Sequence, residues 1–177
     1  MPCLPRPLLW LLLASALPLP AAMPPAASIN RLFEDYTAKR VTMPFAEKMT
    51  PDDAMDVQAI FVRELQAGLG KPVGHKVGLV NREAQQRWGV DEPVRGVLLE
   101  KMILPDASEV PADFGASPFL EADLVVVVKD KAINRATTPL EAAKHLKEIA
   151  AFIELPDAFI ATNGAPDGAM LAAANVG

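Results

Sequence analysis

The feature that most constrains the fold is the segment FLEADLVVVVK at 119–129, which is apolar except for two acids near its start. Its β-branched residues predict a strand, and the valines are apolar enough to be buried on both faces of a sheet. Residues i and i+2 of a strand point to the same face, so Glu121 and Asp123 converge. Buried carboxylates are costly unless they are compensated. The segment therefore predicts either a hard divalent cation held by oxygen ligands or a strand end that emerges into solvent at Glu121.

Two further charged residues lie in apolar, strand-like segments. Glu154 is the first acid of FIELPD, and Lys76 lies between the glycines of GHKVGL. Together with Glu121 and Asp123, Glu154 gives a set of three carboxylates suited to a metal; the alternatives are an edge position or pairing with a buried lysine. Glycines beside Lys76 allow close approach of a ligand. Lys76 is thus a candidate to balance the acids, bind a substrate carboxylate or transfer protons, the alternative being a solvated strand lysine.

The N-terminal segment 1–27 has the layout of a secretory signal peptide. Arg6 precedes an apolar run, and a Pro/Ala-rich stretch follows. The run is shorter than the roughly 20 residues of a membrane span. We therefore predict a signal peptide at 1–27 and an exported domain at 28–177, periplasmic or secreted, with no stable membrane span. The alternatives are an uncleaved anchor and a wrongly assigned start codon. Cleavage removes Cys3, the only cysteine, which leaves oxygen ligands or the two histidines for any metal.

Composition narrows the class of protein. The 177 residues are 51% hydrophobic with a formal net charge of -5. This apolar content argues against disorder. The acidic pI near 5.1 argues against a nucleic-acid binder, whose surface is normally basic. The partner that we expect is a small molecule.

The order of elements predicts an α+β chain, with helices first and then strands separated by single helices and long loops. The C-terminal segment MLAAANVG stops in mid-pattern, so we expect the domain to be incomplete there. The expected elements are a helix capped by Ser28, a helix from Thr50-Pro51 to Gly68 or Gly70, a strand over 73–80, a short helix from Asn81 to Gly89, a strand within GVLLEKMIL, a helix from Thr138 to about Ala150 that includes His145, and a strand at FIEL.

Taken together, the short motifs resemble the fumarylacetoacetate hydrolase superfamily and, within it, the 2-keto-4-pentenoate hydratase group. The resemblance covers roughly residues 30–177 and implies a mixed β-sheet or β-roll with N-terminal helices, completed by later strands. We also expect a homo-oligomer. The motifs that carry the resemblance are GHKVGL, Gln85, Gly89-Val90, Pro93, Gly96, EADLVVVV and FIELPD.

The resemblance also implies roles for single residues. Glu121, Asp123 and Glu154 would hold Mg²⁺ or Mn²⁺, and the metal would chelate a short 2-keto acid and stabilise its enolate. Lys76 would be the catalytic group that assists proton transfer or holds negative charge. Asp123 replaces the usual glutamate with a side chain one methylene shorter. Val94 stands where the hydratases carry an acid implicated in catalysis.

The function implied is a metal-dependent hydro-lyase acting on a substrate such as 2-hydroxypenta-2,4-dienoate, as in aromatic-compound catabolism. The same scaffold leaves two related reactions open, which are decarboxylation of a 2-oxo acid and hydrolysis of an acylpyruvate. A different class of function is also open, namely an exported protein that binds metal and keto acid without turnover. The absence of an acid at Val94 supports that alternative.

Overall fold

The computed structural model describes residues 22–162, 164 and 166–175. The apolar run of the predicted signal peptide lies outside these residues, so cleavage and export stay predictions. Within the described residues, no helix has the length and apolar character needed to cross a membrane.

Helices and antiparallel strand pairs make up the described chain, and the predicted α+β class is confirmed at that level. The β-roll and the C-terminal incompleteness stay predictions. The helices are α1 (Ala26–Thr37), α2 (Pro51–Leu69), α3 (Arg82–Trp88), α4 (Pro139–Ala143) and α5 (Gly168–Ala174), and the strands are β1 (Pro72–Gly78), β2 (Val94–Leu99), β3 (Glu121–Val128) and β4 (Leu146–Glu154), with short 3-10 turns at Glu100–Met102 and Lys131–Arg135.

Helix α2 begins and ends where the sequence predicts. The Thr50 hydroxyl accepts a hydrogen bond from the Asp53 amide at 3.1 Å, and the Asp53 carboxylate accepts one from the Thr50 amide at 2.9 Å. Hydrogen bonds from the Thr50 side chain and backbone lower the pKa of Asp53 below its ordinary value. Pro51 occupies the first helical position, and Gly70 ends the helix with a φ of 85°.

The core lies where α1, α2, α5 and β2 meet. Its largest fully buried apolar side chains are Leu32, Phe61, Leu99 and Met170. The amide of Gln58, buried on α2, donates to the carbonyl of Arg95 at 2.8 Å and to that of Ala172 at 2.6 Å. Hydrogen bonds from this one polar side chain therefore join β2 and α5 to α2.

The strands form two antiparallel ribbons. In the first, β1 pairs with β2 and places Lys76 opposite Gly96. In the second, β3 pairs with β4 and places Glu121 opposite Glu154. Helix α3 follows the first strand; as predicted, the Asn81 side chain caps it, and Gly89 ends it in the left-handed region.

Three predicted boundaries are wrong. Ser28 lies inside α1, whose N-cap is Pro25 without a side-chain cap. The GVLLEKMIL strand ends at Leu99, where a 3-10 turn begins. The helix capped by Thr138 ends at Ala143, and β4 already begins at Leu146, so His145 lies between them rather than within a helix. Pairing of β4 with the valine-rich β3 is a non-local interaction that overrides the local helical signal.

Burial of β3 on both faces is also wrong. Leu124 is 64% exposed, and Ile153, on the same face of the ribbon, is 66% exposed. In the described part of the chain β3 pairs only with β4, so a two-stranded ribbon leaves its faces largely open. The apolar ribbon face, defined as Ala122, Leu124, Val126, Ile149, Ala151 and Ile153, follows from the alternation of side chains and the observed register.

Candidate active site

An ion pair joins the two ribbons. Lys76, on β1, contacts the Oε1 atom of Glu154, the last residue of β4, through its Nζ atom. Each side chain is 18% exposed, so the pair is largely shielded from solvent. The sequence predicted both residues for the site, and the structure brings them together.

The three predicted carboxylates share one face of the second ribbon. Glu121 lies directly opposite Glu154, and Asp123 lies two residues further along β3. Their carboxylate oxygens are the type of donor that a hard divalent cation takes.

The side chains of these acids have other contacts. Glu121 and Asp123 are exposed, and Asp123 Oδ1 accepts from the Leu124 amide at 2.7 Å. Within the described ranges, no three histidine, cysteine, aspartate or glutamate side chains lie close enough together to hold a metal ion. The alternatives that the sequence left open, an exposed strand end at Glu121 and a lysine partner for Glu154, describe the observed conformations. The metal assignment stays a prediction.

A cavity of about 710 Å³ opens beside the ion pair. It lies between helices α1, α2 and α5 and the loop that follows β4, and most of its walls are apolar. The polar residues that line it include Tyr36 from α1, Lys39 just after α1, Glu64 from α2, Lys76 from β1, Asp157 from the loop and Asn175 from the end of α5. A cavity of this size and character suits a small organic ligand.

Asp157 fixes one wall of the cavity. Its two carboxylate oxygens accept from the amides of Ala116 at 2.9 Å and Ser117 at 2.7 Å. The loop can wrap this closely because residue 115 is glycine: a Cβ there would lie 2.4 Å from the Asp157 carboxylate. The carboxylate thus holds the segment that leads into β3.

Tyr36 contributes a hydroxyl to the same cavity. Its ring packs edge-on against Phe61 at 5.5 Å and against Phe159 at 5.4 Å between ring centroids. Burial, and secondarily the negative charge of Asp157, raises the pKa of Tyr36 above its ordinary value. The phenol therefore stays protonated at neutral pH.

Sequence reasoning did not single out Tyr36, Asp157 or Asn175. Asp157 had a signal in the Pro-Asp turn after a strand, whereas Asn175 sits in an alanine-rich stretch without a motif. Neither histidine lines the cavity within the described part of the chain. His75 is exposed, with Nδ1 3.3 Å from the Gly96 carbonyl, and His145 Nδ1 lies 3.0 Å from Asp130 Oδ1.

Val94 belongs to the core. It begins β2, is buried, and lies opposite Gly78. An acid at this position would lose its hydration, so an apolar residue suits the surroundings that this chain provides.

Comparison with known proteins identifies relatives. No protein-family model matches the chain. A 2-oxo-hept-4-ene-1,7-dioate hydratase of Escherichia coli is 35% identical over 82 residues, which are 46% of this chain and 30% of the relative. A 2-keto-4-pentenoate hydratase of Paraburkholderia xenovorans is 37% identical over 81 residues, which are 45% of this chain and 30% of the relative.

A solved structure confirms the likeness in fold. It is 4-oxalocrotonate decarboxylase from Pseudomonas putida G7, complexed with magnesium and adipate, with a TM-score of 0.72 and 24% identity. The match covers 84% of this chain and 57% of that chain. This chain therefore spans only part of the length of each of these three proteins.

Proposed function

Because the chain is related to the 2-keto-4-pentenoate hydratases of the fumarylacetoacetate hydrolase superfamily, we propose that it is a hydro-lyase acting on a short 2-keto acid or 2-hydroxydienoate such as 2-hydroxypenta-2,4-dienoate. The observation that carries this proposal is Lys76, which lies on the wall of a mostly apolar cavity and is shielded from solvent together with its partner Glu154. A cation beside a mostly apolar cleft suits an anion with a short hydrocarbon chain.

In the proposed reaction the apolar residues that line the cavity and Lys76 have different roles. The apolar side chains bind the carbon skeleton and exclude water other than the one molecule that adds to the dienoate, which strengthens the electrostatic interactions inside the cavity. The Lys76 ammonium attracts the substrate carboxylate and holds a proton at Nζ for the oxygen on which negative charge develops.

Glu154 links Lys76 to Glu121 and Asp123, which lie on the same face of the second ribbon as Glu154. Its carboxylate accepts from Lys76 and also lies opposite Glu121. If Glu154 rotates towards Glu121, the carboxylate of the substrate takes the place of the Glu154 carboxylate at the ammonium. We propose that Glu121, Asp123 and Glu154 then hold Mg²⁺ or Mn²⁺. When bound, such a metal supplies Lewis-acid stabilisation of charge on the 2-oxo oxygen.

A specific observation favours decarboxylation of a 2-oxo acid as a second candidate function. Val94 is part of the apolar core, so the acid that the hydratase resemblance implies there is replaced by a buried hydrocarbon. The neighbour of known structure is itself named a decarboxylase. Release of CO₂ from 4-oxalocrotonate by the purified chain, without consumption of 2-hydroxypenta-2,4-dienoate, would establish this alternative.

We predict that the Glu121→Gln/Glu154→Gln double variant loses metal-dependent binding of oxalate, a mimic of the enolate. Amide groups retain the shape of the acids but remove two negative charges from the ligand set. We expect binding to weaken by about 100-fold or more, because even outer-shell changes at metal sites cost 10–100-fold. Calorimetry of the full chain with Mg²⁺ or Mn²⁺, with and without oxalate, measures this.

The matched control is Glu148→Gln, an exposed acid on the same strand, opposite Val127. It should leave both titrations unchanged. Metal-dependent oxalate binding by the double variant at the affinity of the original chain would refute the assignment of the ligands.

We also propose that the chain forms a homo-oligomer in which a second copy covers the apolar ribbon face. Exposed apolar surface of this kind is typical of interaction sites. The Leu124→Glu/Ile153→Glu variant should therefore yield a smaller species than the original chain by light scattering after size-exclusion chromatography. Leu140→Glu, at an equally exposed position on α4, is the control. A monomeric original chain would contradict the proposal.

A further inference from the structure

Most of the aromatic residues of the chain line the cavity. The chain has seven phenylalanines, two tryptophans and one tyrosine. Those on the cavity wall are Phe33, Tyr36, Trp88, Phe114, Phe119 and Phe159. All of them except Phe159 keep part of their surface exposed. We infer that the cavity binds a 2-keto acid that has one carboxylate and carries an aromatic ring at its other end.

Three of these aromatic residues meet at the segment that follows β4. The ring of Tyr36 packs edge-on against that of Phe159, with 5.4 Å between the ring centroids. The amide of Phe119 donates to the Pro156 carbonyl at 3.0 Å. Aromatic rings favour edge-on and offset-stacked contacts with other rings. A ligand ring that enters this group can therefore make contacts of the kind that Tyr36 and Phe159 already make with each other.

The aromatic residues lie close to the place where the proposed function puts the carboxylate. Lys76 contacts Glu154, the last residue of β4, and Pro156 lies two positions after Glu154. Two residues of extended chain span at most about 7 Å. A molecule whose carboxylate is bound at Lys76 can therefore place a ring beside Tyr36 and Phe119.

The size of the cavity favours a substrate larger than the simple dienoate. Sites for drug-sized ligands have volumes of roughly 300–1,000 Å³, and this cavity, at about 710 Å³, falls within that range. A five-carbon acid would leave much of the apolar wall in contact with water. An aromatic substituent would cover that wall and gain the free energy of its burial. The inference thus rests on the proposed function and specifies the substrate of the same site.

The charges on the cavity wall favour one carboxylate rather than two. The charged residues on the described wall are two lysines and two acids, Lys39, Lys76, Glu64 and Asp157. They leave no excess of positive charge for a second carboxylate. Burial, and after it the negative charge of Asp157, raises the pKa of Tyr36. The same charge of Asp157 would repel a carboxylate placed beside the aromatic residues.

The first test compares four keto acids by calorimetry with the full chain and Mg²⁺. Phenylpyruvate has the ring, cyclohexylpyruvate has an apolar ring of similar size without aromatic character, pyruvate has neither, and 2-oxoadipate has a second carboxylate. We expect phenylpyruvate to bind about 10- to 100-fold more tightly than pyruvate, the effect of burying one large apolar group. It should also bind more tightly than cyclohexylpyruvate and 2-oxoadipate.

The second test removes one ring from the cavity wall. Phe119 is 44% exposed, so Phe119→Leu should fold with an unchanged midpoint of thermal unfolding. Its affinity for phenylpyruvate should fall by about 2- to 10-fold, the range for an aromatic pair, while its affinity for cyclohexylpyruvate changes less. The matched control is Phe152→Leu on β4, which is partly buried and does not line the cavity. It should retain both affinities.

The outcomes separate this inference from the proposed function. Equal affinities for phenylpyruvate and pyruvate, equal affinities for phenylpyruvate and cyclohexylpyruvate, or tighter binding of 2-oxoadipate would each overturn the inference. Turnover of 2-hydroxypenta-2,4-dienoate in the same preparation would then leave the function standing. A preference for phenylpyruvate that depends on Phe119, without turnover of any keto acid tested, would support the ligand class and overturn the enzyme. A folded chain that binds none of the four acids overturns both.

Discussion

Replacement of Lys76 by methionine is expected to lower kcat/KM for 2-hydroxypenta-2,4-dienoate by about 100-fold or more, the range of a lost proton-transfer group. Methionine preserves most of the length of the stem, so the packing against Gly96 survives while the ammonium is lost. The substrate carboxylate then enters an apolar cavity without its counter-charge. Loss of the dienoate absorbance, followed over time with Mg²⁺ present, measures the effect.

The same substitution also affects stability, because Glu154 loses its partner. At 18% exposure the pair lies between a surface pair and a fully buried one. Its loss should therefore cost about 1–3 kcal/mol in free energy of unfolding. The Lys76→Met/Glu154→Gln variant removes the unpaired charge and should recover most of that stability without recovering turnover. This separates catalysis from folding.

Lys147→Met provides the matched control, since Lys147 is an exposed lysine on β4. It should retain the kinetics and stability of the original chain. A folded Lys76→Met variant that turns over the dienoate at the original rate would refute the catalytic role of Lys76.

Local signals in the sequence predicted the helix boundaries that depend on local chemistry. Thr50, Pro51 and Asp53 specify the start of α2 through hydrogen bonds within one turn, and Asn81 specifies the start of α3 in the same way. Such contacts can be predicted from a few neighbouring residues, because no distant part of the chain takes part in them. The Thr138 cap is also present, yet its helix ends early, because the strand that follows pairs with residues 18 to 33 positions earlier.

In the candidate site, too, local features could be predicted from the sequence and contacts between distant segments could not. The alternation of a strand placed Glu121 and Asp123 on one face, and the register confirms Glu154 as their neighbour. The choice of Lys76 as the partner of Glu154 depends on how two ribbons meet, which no local pattern encodes. The place of Asn175 on the cavity wall was missed for the same reason, because segments distant in sequence form that cavity.

Gly96→Ala is expected to damage both the fold and the site. A Cβ at this position would lie 2.6 Å from the Asn175 carbonyl oxygen and 2.7 Å from Lys76 Cγ. The Lys76 stem can shift, but the Asn175 carbonyl is bonded to the Val97 amide, so the end of α5 must move. Helix α5 is buried along most of its length, so this movement disturbs the core. Overpacking of this kind costs about 1–3 kcal/mol.

Urea denaturation should therefore show a lower free energy of unfolding, and kcat/KM should fall because the methyl group displaces both Lys76 and Asn175. Gly68→Ala is the matched control: a Cβ there meets nothing within 4 Å, and the residue lies within α2. Alanine should raise stability by about 0.5–1 kcal/mol there, since it favours the helix. If Gly96→Ala has the same stability and turnover as the original chain, then a methyl group at position 96 disturbs neither α5 nor the positions of Lys76 and Asn175.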